Sequence, residues 1–217
     1  MTTNLFNIFD PSTSMWNIQI NWIASLIIMI ILPNFLWIIP NRIKWTINKM
    51  FNFLNNEMSL SFKSKKIKAP SFMFISLLFF ILLNNLASLF PYIFSSSSHM
   101  IFSFSLALPF WLFFIIMSMI KNTKNLIIHL IPLNTPIYLA PFMTIIETMS
   151  IIMRPFSLSI RLTANMIAGH LLMTLLNSNY LILIILMIQM FMMMFELCVS
   201  FIQSYVFSIL TSLYSSE

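Results

Sequence analysis

The sequence predicts an all-α polytopic membrane protein, on three observations. Hydrophobic residues fill 59% of the 217 positions and charged residues 7%, with a mean hydropathy of +0.93, which leaves too little polar surface to cover a soluble globule. The apolar residues gather into runs of spanning length, and a chain of this size has room for about five or six spans of roughly 20 residues. Most of the basic residues behind the +6 net charge sit together between two such runs, where they read as membrane orientation signals and not as a nucleic-acid footprint. The expected architecture is a single membrane domain over 1–217. It comprises upright transmembrane helices, one amphipathic surface helix, and two long, strongly tilted helices forming a hairpin.

The opening MTTNLFNIFD has no Lys or Arg, so neither a basic secretory leader nor an Arg-rich transit peptide is expected there. A transmembrane helix is predicted over 16–40, because Trp22 to Ile39 is apolar and uncharged, with Trp16, Trp22 and Trp37 near its ends where amphipathic rings favour the interface. Pro33 is expected to kink it and Pro40 to end it. Residues 41–68 change character. Ile43, Ile47, Met50, Phe51, Leu54 and Met58 recur at helical spacing while Lys44, Asn48, Lys49, Asn52 and Asn55 take other faces, the pattern of an amphipathic helix lying on the membrane. A basic loop follows with Lys63, Lys65, Lys66 and Lys68, placed to meet anionic lipid headgroups.

Transmembrane helices are predicted over 71–93 and 101–120. Asn84 and Asn85 are the strongly polar members of the first and are expected to hydrogen-bond to neighbouring helices. The serine run and His99 form the turn between the two, and His99 reads as a solvated loop residue. Orientation is consistent from loop to loop: residues 42–68 hold seven of the eleven Lys and Arg, 91–100 hold none, and the next connection brings Lys121 and Lys124. The positive-inside rule then sets the N-terminus and the His99 turn outside, with both basic connections inside.

Pro132, Pro136 and Pro141 interrupt any helix before the second half of the chain. Two long apolar runs follow, 137–176 and 180–214, separated near Asn177-Ser178-Asn179. The stretches from Phe142 to Leu176 and from Tyr180 to Tyr214 are each about 35 residues or roughly 50 Å as a helix, against a hydrocarbon core of about 30 Å. Cutting either into two spans would leave backbone groups unsatisfied in lipid, and no turn chemistry marks a break. A tilted helical hairpin is the expectation, with Pro155 as a kink.

Both long helices carry polar lines. On the first, Glu147, Arg154 and Arg161 are spaced by seven and Asn165 follows by four, so they share a face. Ala164 and Ala168 beside them form a small-xxx-small pair that admits close helix approach. His170, nine residues beyond Arg161, projects from the opposite side. On the second, Gln189, Glu196 and Gln203 are spaced by seven, with Ser200 alongside. Arg cannot shed its proton, and a charge at bilayer depth costs about 2.5 to 3.5 kcal/mol on insertion scales. Such a residue points to an ion path. Glu196 and His170 are groups able to exchange protons near neutral pH, whereas Arg161 offers fixed charge. The plainer reading is that Glu and Arg pair and hold a polar core.

No metal, haem or other cofactor is expected, because of the three histidines only His170 lies within a clear long helix and no second ligand has suitable spacing. No Gly-rich phosphate loop or activated nucleophile appears. An enzyme with nucleotide chemistry of its own is therefore not expected. Cys198 excludes an intrachain disulfide and reads as a buried, inert thiol. The single glycine beside 19 Met and 23 Phe reads as base composition more than as physics.

These residues resemble the a-subunit (subunit 6) family of the mitochondrial F-type ATP synthases. The carriers are RLTANMIAGHLL at 161–172, PLNTPIYLAPF at 132–142, IIET at 145–148 and ELCVSFIQSYVFSILTSLY at 196–214. The resemblance implies a proton channel formed with a rotating c-subunit ring, other membrane and peripheral-stalk subunits as partners, and a multi-pass place in the mitochondrial inner membrane. Protons would enter one half-channel, neutralise a ring carboxylate, ride the ring and leave by a second half-channel. Arg161 matches the family's essential arginine, which attracts the ring carboxylate and separates the half-channels. Asn165 matches its channel-lining Asn, His170 and Glu196 its relay positions, and Gln203 the Gln that faces the arginine. Glu147, Arg154, Gln189 and Ser200 are supporting positions. Some family members carry Gln in place of Arg154, which argues against an essential role there. Asn134 stands where the family usually has Gly, and Asn tolerates left-handed backbone better than most residues. A hairpin centred on Ser178 would set Arg161 level with Glu196, whereas the family's pairing of Arg161 with Gln203 needs a centre near 182. The rival reading of the residues is a proton-coupled secondary transporter, although the long runs do not duplicate the earlier spans as transporter repeats do.

Overall fold

The computed structural model describes residues 9–13, 18–31, 41–61, 69–90, 93–121, 123, 130–131, 136–177 and 182–216. Six α-helices cover most of them: α1 (Ile23–Ile31), α2 (Arg42–Ser61), α3 (Ala69–Ser88), α4 (Met100–Lys121), α5 (Ala140–Asn177) and α6 (Ile182–Ser216), with short 3₁₀ turns at Ile20–Trp22, Ser96–Ser98 and Ile137–Leu139. Four of these are long and apolar enough to cross a membrane, over Ser71–Ser88, Met100–Ile120, Ala140–Leu176 and Ile185–Ser212. All-helical construction is what lipid demands, since a helix satisfies its own backbone. The kink expected at Pro33, the stop at Pro40, the Lys63–Lys68 cluster, the turn around Asn134 and the connection at Ser178–Asn179 fall outside the described residues.

Contacts divide the chain into two compact units, one of Met1–His99 with Leu162–Glu217, the other of Met100–Arg161. In the first, α3 is the hub, packing against α1, α2 and, most densely, α6. Its buried residues Phe74, Ile75, Leu78, Ile81, Asn84, Asn85 and Ser88 recur at three- and four-residue spacing and share one broad face covering roughly half of the helix.

Asn41 starts α2 by accepting the Trp45 N–H at 2.9 Å, the place where Asn is favoured as a cap, and no Gly or Pro interrupts the helix. Leu54 and Met58 from its apolar face bury against Ile75 and Leu78, with Phe51, Phe79, Leu82 and Ile209 around them. Phe51 stacks on Phe79 at 4.4 Å between centroids. Lys49 lies 3.9 Å from the centre of the Trp45 ring.

The densest packing of α6 is on α3, and the helix carries a repeat of small buried residues. Ser200, Ser204, Ser208 and Ser212 recur every fourth residue, and all four are buried. Each hydroxyl donates to the carbonyl three residues back, those of Leu197, Phe201, Tyr205 and Ile209. That back-bonding hides the polar atom, and the small side chain lets a neighbouring helix approach where lipid supplies no hydrophobic drive for association. The opposite face of α6 is apolar and exposed, as Met187, Phe191, Met194 and Ile202 show. Cys198 is on exposed surface as well, not buried as its apolar run suggested, because in a membrane helix an apolar face can point outward.

In the second unit, α4 continues through Pro109 and carries Phe102, Ser103 and Ala107 buried. Phe104 meets Phe156 of α5 edge-on at 5.1 Å. The helix α5 also continues through its interior proline, Pro155, over 38 residues.

Candidate functional site

Along α5 the polar residues expected at the site fall into two environments. Glu147 and Arg154 are half-buried, while Arg161 and Asn165 are exposed, as are Ala164 and Ala168 of the same helical face. Arg161 makes no hydrogen bond or ion pair among the described residues. His170 is half-buried, in keeping with its nine-residue offset from Arg161. Its Nε2 is buried with no hydrogen-bond partner among the described residues, and the Phe9 ring stands edge-on to the imidazole at 6.2 Å.

On α6, Gln189, Glu196 and Gln203 are half-buried and Ser200 is buried, so the seven-residue spacing does produce one inward line. Glu196 approaches α5 at Gly169. Its carboxylate lies so close to that backbone that a Cβ built on Gly169 would stand 2.6 Å from Oε1 and 2.7 Å from Cδ. Oε1 is buried and, like His170 Nε2, has no hydrogen-bond partner among the described residues. Glu196 thus meets α5 at the residue next in sequence to His170, and each of the two side chains has a buried polar atom with no hydrogen-bond partner among the described residues. Gly169 is therefore more than a consequence of base composition. The signal in the sequence is the chain's one glycine, placed mid-helix where Gly costs about 1 kcal/mol relative to Ala.

A second polar cluster follows the end of α3. The amide of Asn84 donates to the Phe80 carbonyl at 2.9 Å and its Oδ1 accepts from Ser96 at 3.3 Å. Bonding across helices was expected of both asparagines. Instead Asn84 serves its own helix and the serine turn, and Asn85, with 0% exposure, has neither side-chain polar atom partnered among the described residues. Ser88 donates to the Asn85 carbonyl at 2.7 Å and reaches Met166 Sδ at 3.7 Å. In the turn Ser95 to Ser98 are buried, with the Ser95 and Ser98 hydroxyl oxygens 3.0 Å apart. His99 is also no open loop residue, since its ring packs at 5.2 Å from Trp22 and 5.3 Å from Phe94 and its Nε2 is buried.

Fold and site together define a polytopic helical membrane protein that carries ionisable groups within its spanning helices. Comparison with known proteins narrows this. The family described as ATP synthase A chain matches residues 15–216. ATP synthase F(0) complex subunit a of Rhopalosiphum padi is 74% identical over 217 residues, covering 100% of both chains. ATP synthase subunit a of Locusta migratoria is 43% identical, and that of Drosophila melanogaster 44%, each across 100% of this chain and 99% of the relative. The chain belongs to the ATP synthase A chain family.

Proposed function

We propose that this chain is the non-catalytic, proton-translocating subunit of a rotary ATP synthase in the mitochondrial inner membrane, providing two half-channels to a ring of c subunits. The observation that carries the reading is the division of α5. Arg161 stands on an exposed face between small residues, while His170, on the other side of the same helix, is half-buried close to where Glu196 reaches α5.

The exposed face suits a partner helix that brings a carboxylate. A guanidinium left alone in lipid is costly, whereas one facing a desolvated carboxylate forms a strong charge-assisted pair. Because Arg161 cannot deprotonate, it holds an ionised ring carboxylate near it and repels a proton that would pass straight across. Asn165, four residues on, lines the path to that contact. His170 and Glu196 relay protons within one half-channel. The carboxylate that leaves Arg161 is protonated from this relay, rides the ring, and discharges to the other half-channel.

Helix length supports the tilted hairpin in this scheme. Helices of 38 and 35 residues are roughly 50 to 57 Å long and exceed a hydrocarbon core of about 30 Å. The Gly169–Glu196 approach supports a hairpin register centred near residue 182 and not at Ser178. In an antiparallel pairing that register brings Gln203 level with Leu162, beside the arginine position. Glu147, Arg154, Gln189 and Ser200 support the path without being essential to it.

The test is proton-driven ATP synthesis and passive proton leak in inner-membrane vesicles carrying Arg161→Gln or Arg154→Gln at matched assembly. Loss of coupled synthesis for Arg161→Gln, with Arg154→Gln retaining it, is expected. Normal synthesis by Arg161→Gln would refute the reading.

A further inference from the structure

We propose that Gly169 is a positioning residue for the Glu196 carboxylate: the missing side chain is a notch in α5 that holds this carboxylate against the helix backbone, next in sequence to His170. The inference rests on the relay assigned above to Glu196 and His170.

Three observations carry it. A Cβ at Gly169 would lie 2.6, 2.7 and 3.1 Å from Oε1, Cδ and Cγ of Glu196, where non-bonded heavy atoms settle at about 3.5 Å or more. Oε1 is buried with no hydrogen-bond partner among the described residues, and the contact described for it is the helix surface at Gly169. The chain has one glycine in 217 residues, and it falls at this contact.

With an alanine at 169, the flexible end of the Glu196 side chain gives way and the helix does not, because α5 is held by its own backbone bonds. The carboxylate then moves by about 1 Å, enough to cost up to about a hundredfold where reacting groups must be aligned. The helix itself gains propensity from the change. Gly169→Ala should therefore assemble and conduct poorly.

The experiment measures passive proton conductance per assembled ATP synthase in inner-membrane vesicles for Gly169→Ala, Glu196→Asp, Glu196→Gln and the double variant Gly169→Ala/Glu196→Asp. Gly169→Ala is expected to lose conductance about tenfold or more. The double variant, whose carboxylate is one methylene shorter, is expected to recover to within about threefold of Glu196→Asp alone. Wild-type conductance in Gly169→Ala overturns the proposal. So does a defect confined to assembled yield with normal conductance per complex, and so does a double variant no better than Gly169→Ala. Glu196→Gln keeps the two levels apart: normal conductance in that variant removes the relay reading itself, whereas a block there with an unaffected Gly169→Ala removes only the role of the glycine.

Discussion

The Tyr205 hydroxyl donates a 2.8 Å hydrogen bond to Oε2 of Glu57, tying α6 to the surface helix α2 across 148 positions of sequence. Both helices also share the Leu54–Met58 cluster through Ile209. A bond to a charged acceptor is worth more than a neutral one, but both partners are partly solvated, which reduces the gain. A double-mutant cycle of Tyr205→Phe and Glu57→Gln, read by unfolding in detergent micelles, is expected to give a coupling of about 1 kcal/mol. Additive single effects would show that the contact contributes nothing.

The serine repeat on α6 makes a prediction about volume. Ser204 and Ser208 have 0% exposure, so Ser204→Leu or Ser208→Leu inserts bulk where there is none to spare and should destabilise by about 1 to 3 kcal/mol. Alanine at either position keeps the small volume and loses only a hydroxyl bonded within its own helix, so a loss under about 1 kcal/mol is expected. Melting temperatures of the purified variants decide it. Leucine tolerated as well as alanine would mean that this face is not where α6 meets its neighbour.

Asn84 and Asn85 are adjacent and equally buried yet should respond differently. Asn84 has partners on both ends of its amide, and Asn84→Leu strands Ser96 as well as deleting two bonds, at an expected cost of about 1 to 3 kcal/mol. Neither polar atom of Asn85 has a partner among the described residues, and an apolar isostere in such a place is near neutral or stabilising. Thermal unfolding of Asn84→Leu and Asn85→Leu side by side is the measurement. Equal destabilisation of the two would contradict the hydrogen-bond assignment.

What could be read from the sequence was whatever depends on neighbours along one helix. The apolar runs located α3 and α4, and the seven-residue spacing of Gln189, Glu196 and Gln203 anticipated a shared inward line. The nine-residue offset between Arg161 and His170 likewise anticipated their different exposure. Harder to see was whatever depends on a partner far along the chain. Gly169 acquires meaning only from Glu196, 27 residues on, and the burial of His99 only from Trp22 and Phe94. The serine repeat stands in the sequence as four residues at four-residue spacing, but spacing along one helix does not say which neighbour a small face meets. It bears on packing because α6 meets α3 most densely, a neighbour that a hairpin drawn from consecutive runs does not suggest.

The exposed face of α5 supplies the last prediction. Ala164 and Ala168 flank Arg161 and Asn165 at helical spacing, and all four are exposed in the folded chain. Bulk at an exposed position typically changes stability by no more than about 0.5 kcal/mol, so Ala164→Phe and Ala168→Phe should fold with nearly wild-type melting temperatures. A helix packing on that face would meet several ångströms of added side chain, because small residues are what permit close approach in lipid. In assembled vesicles both variants are therefore expected to lose proton-driven ATP synthesis by about tenfold or more, together with weakened retention of the c ring. If phenylalanine at either site supports normal synthesis, the ring does not pack on this face, and the proposed pairing of Arg161 with a ring carboxylate loses its geometry.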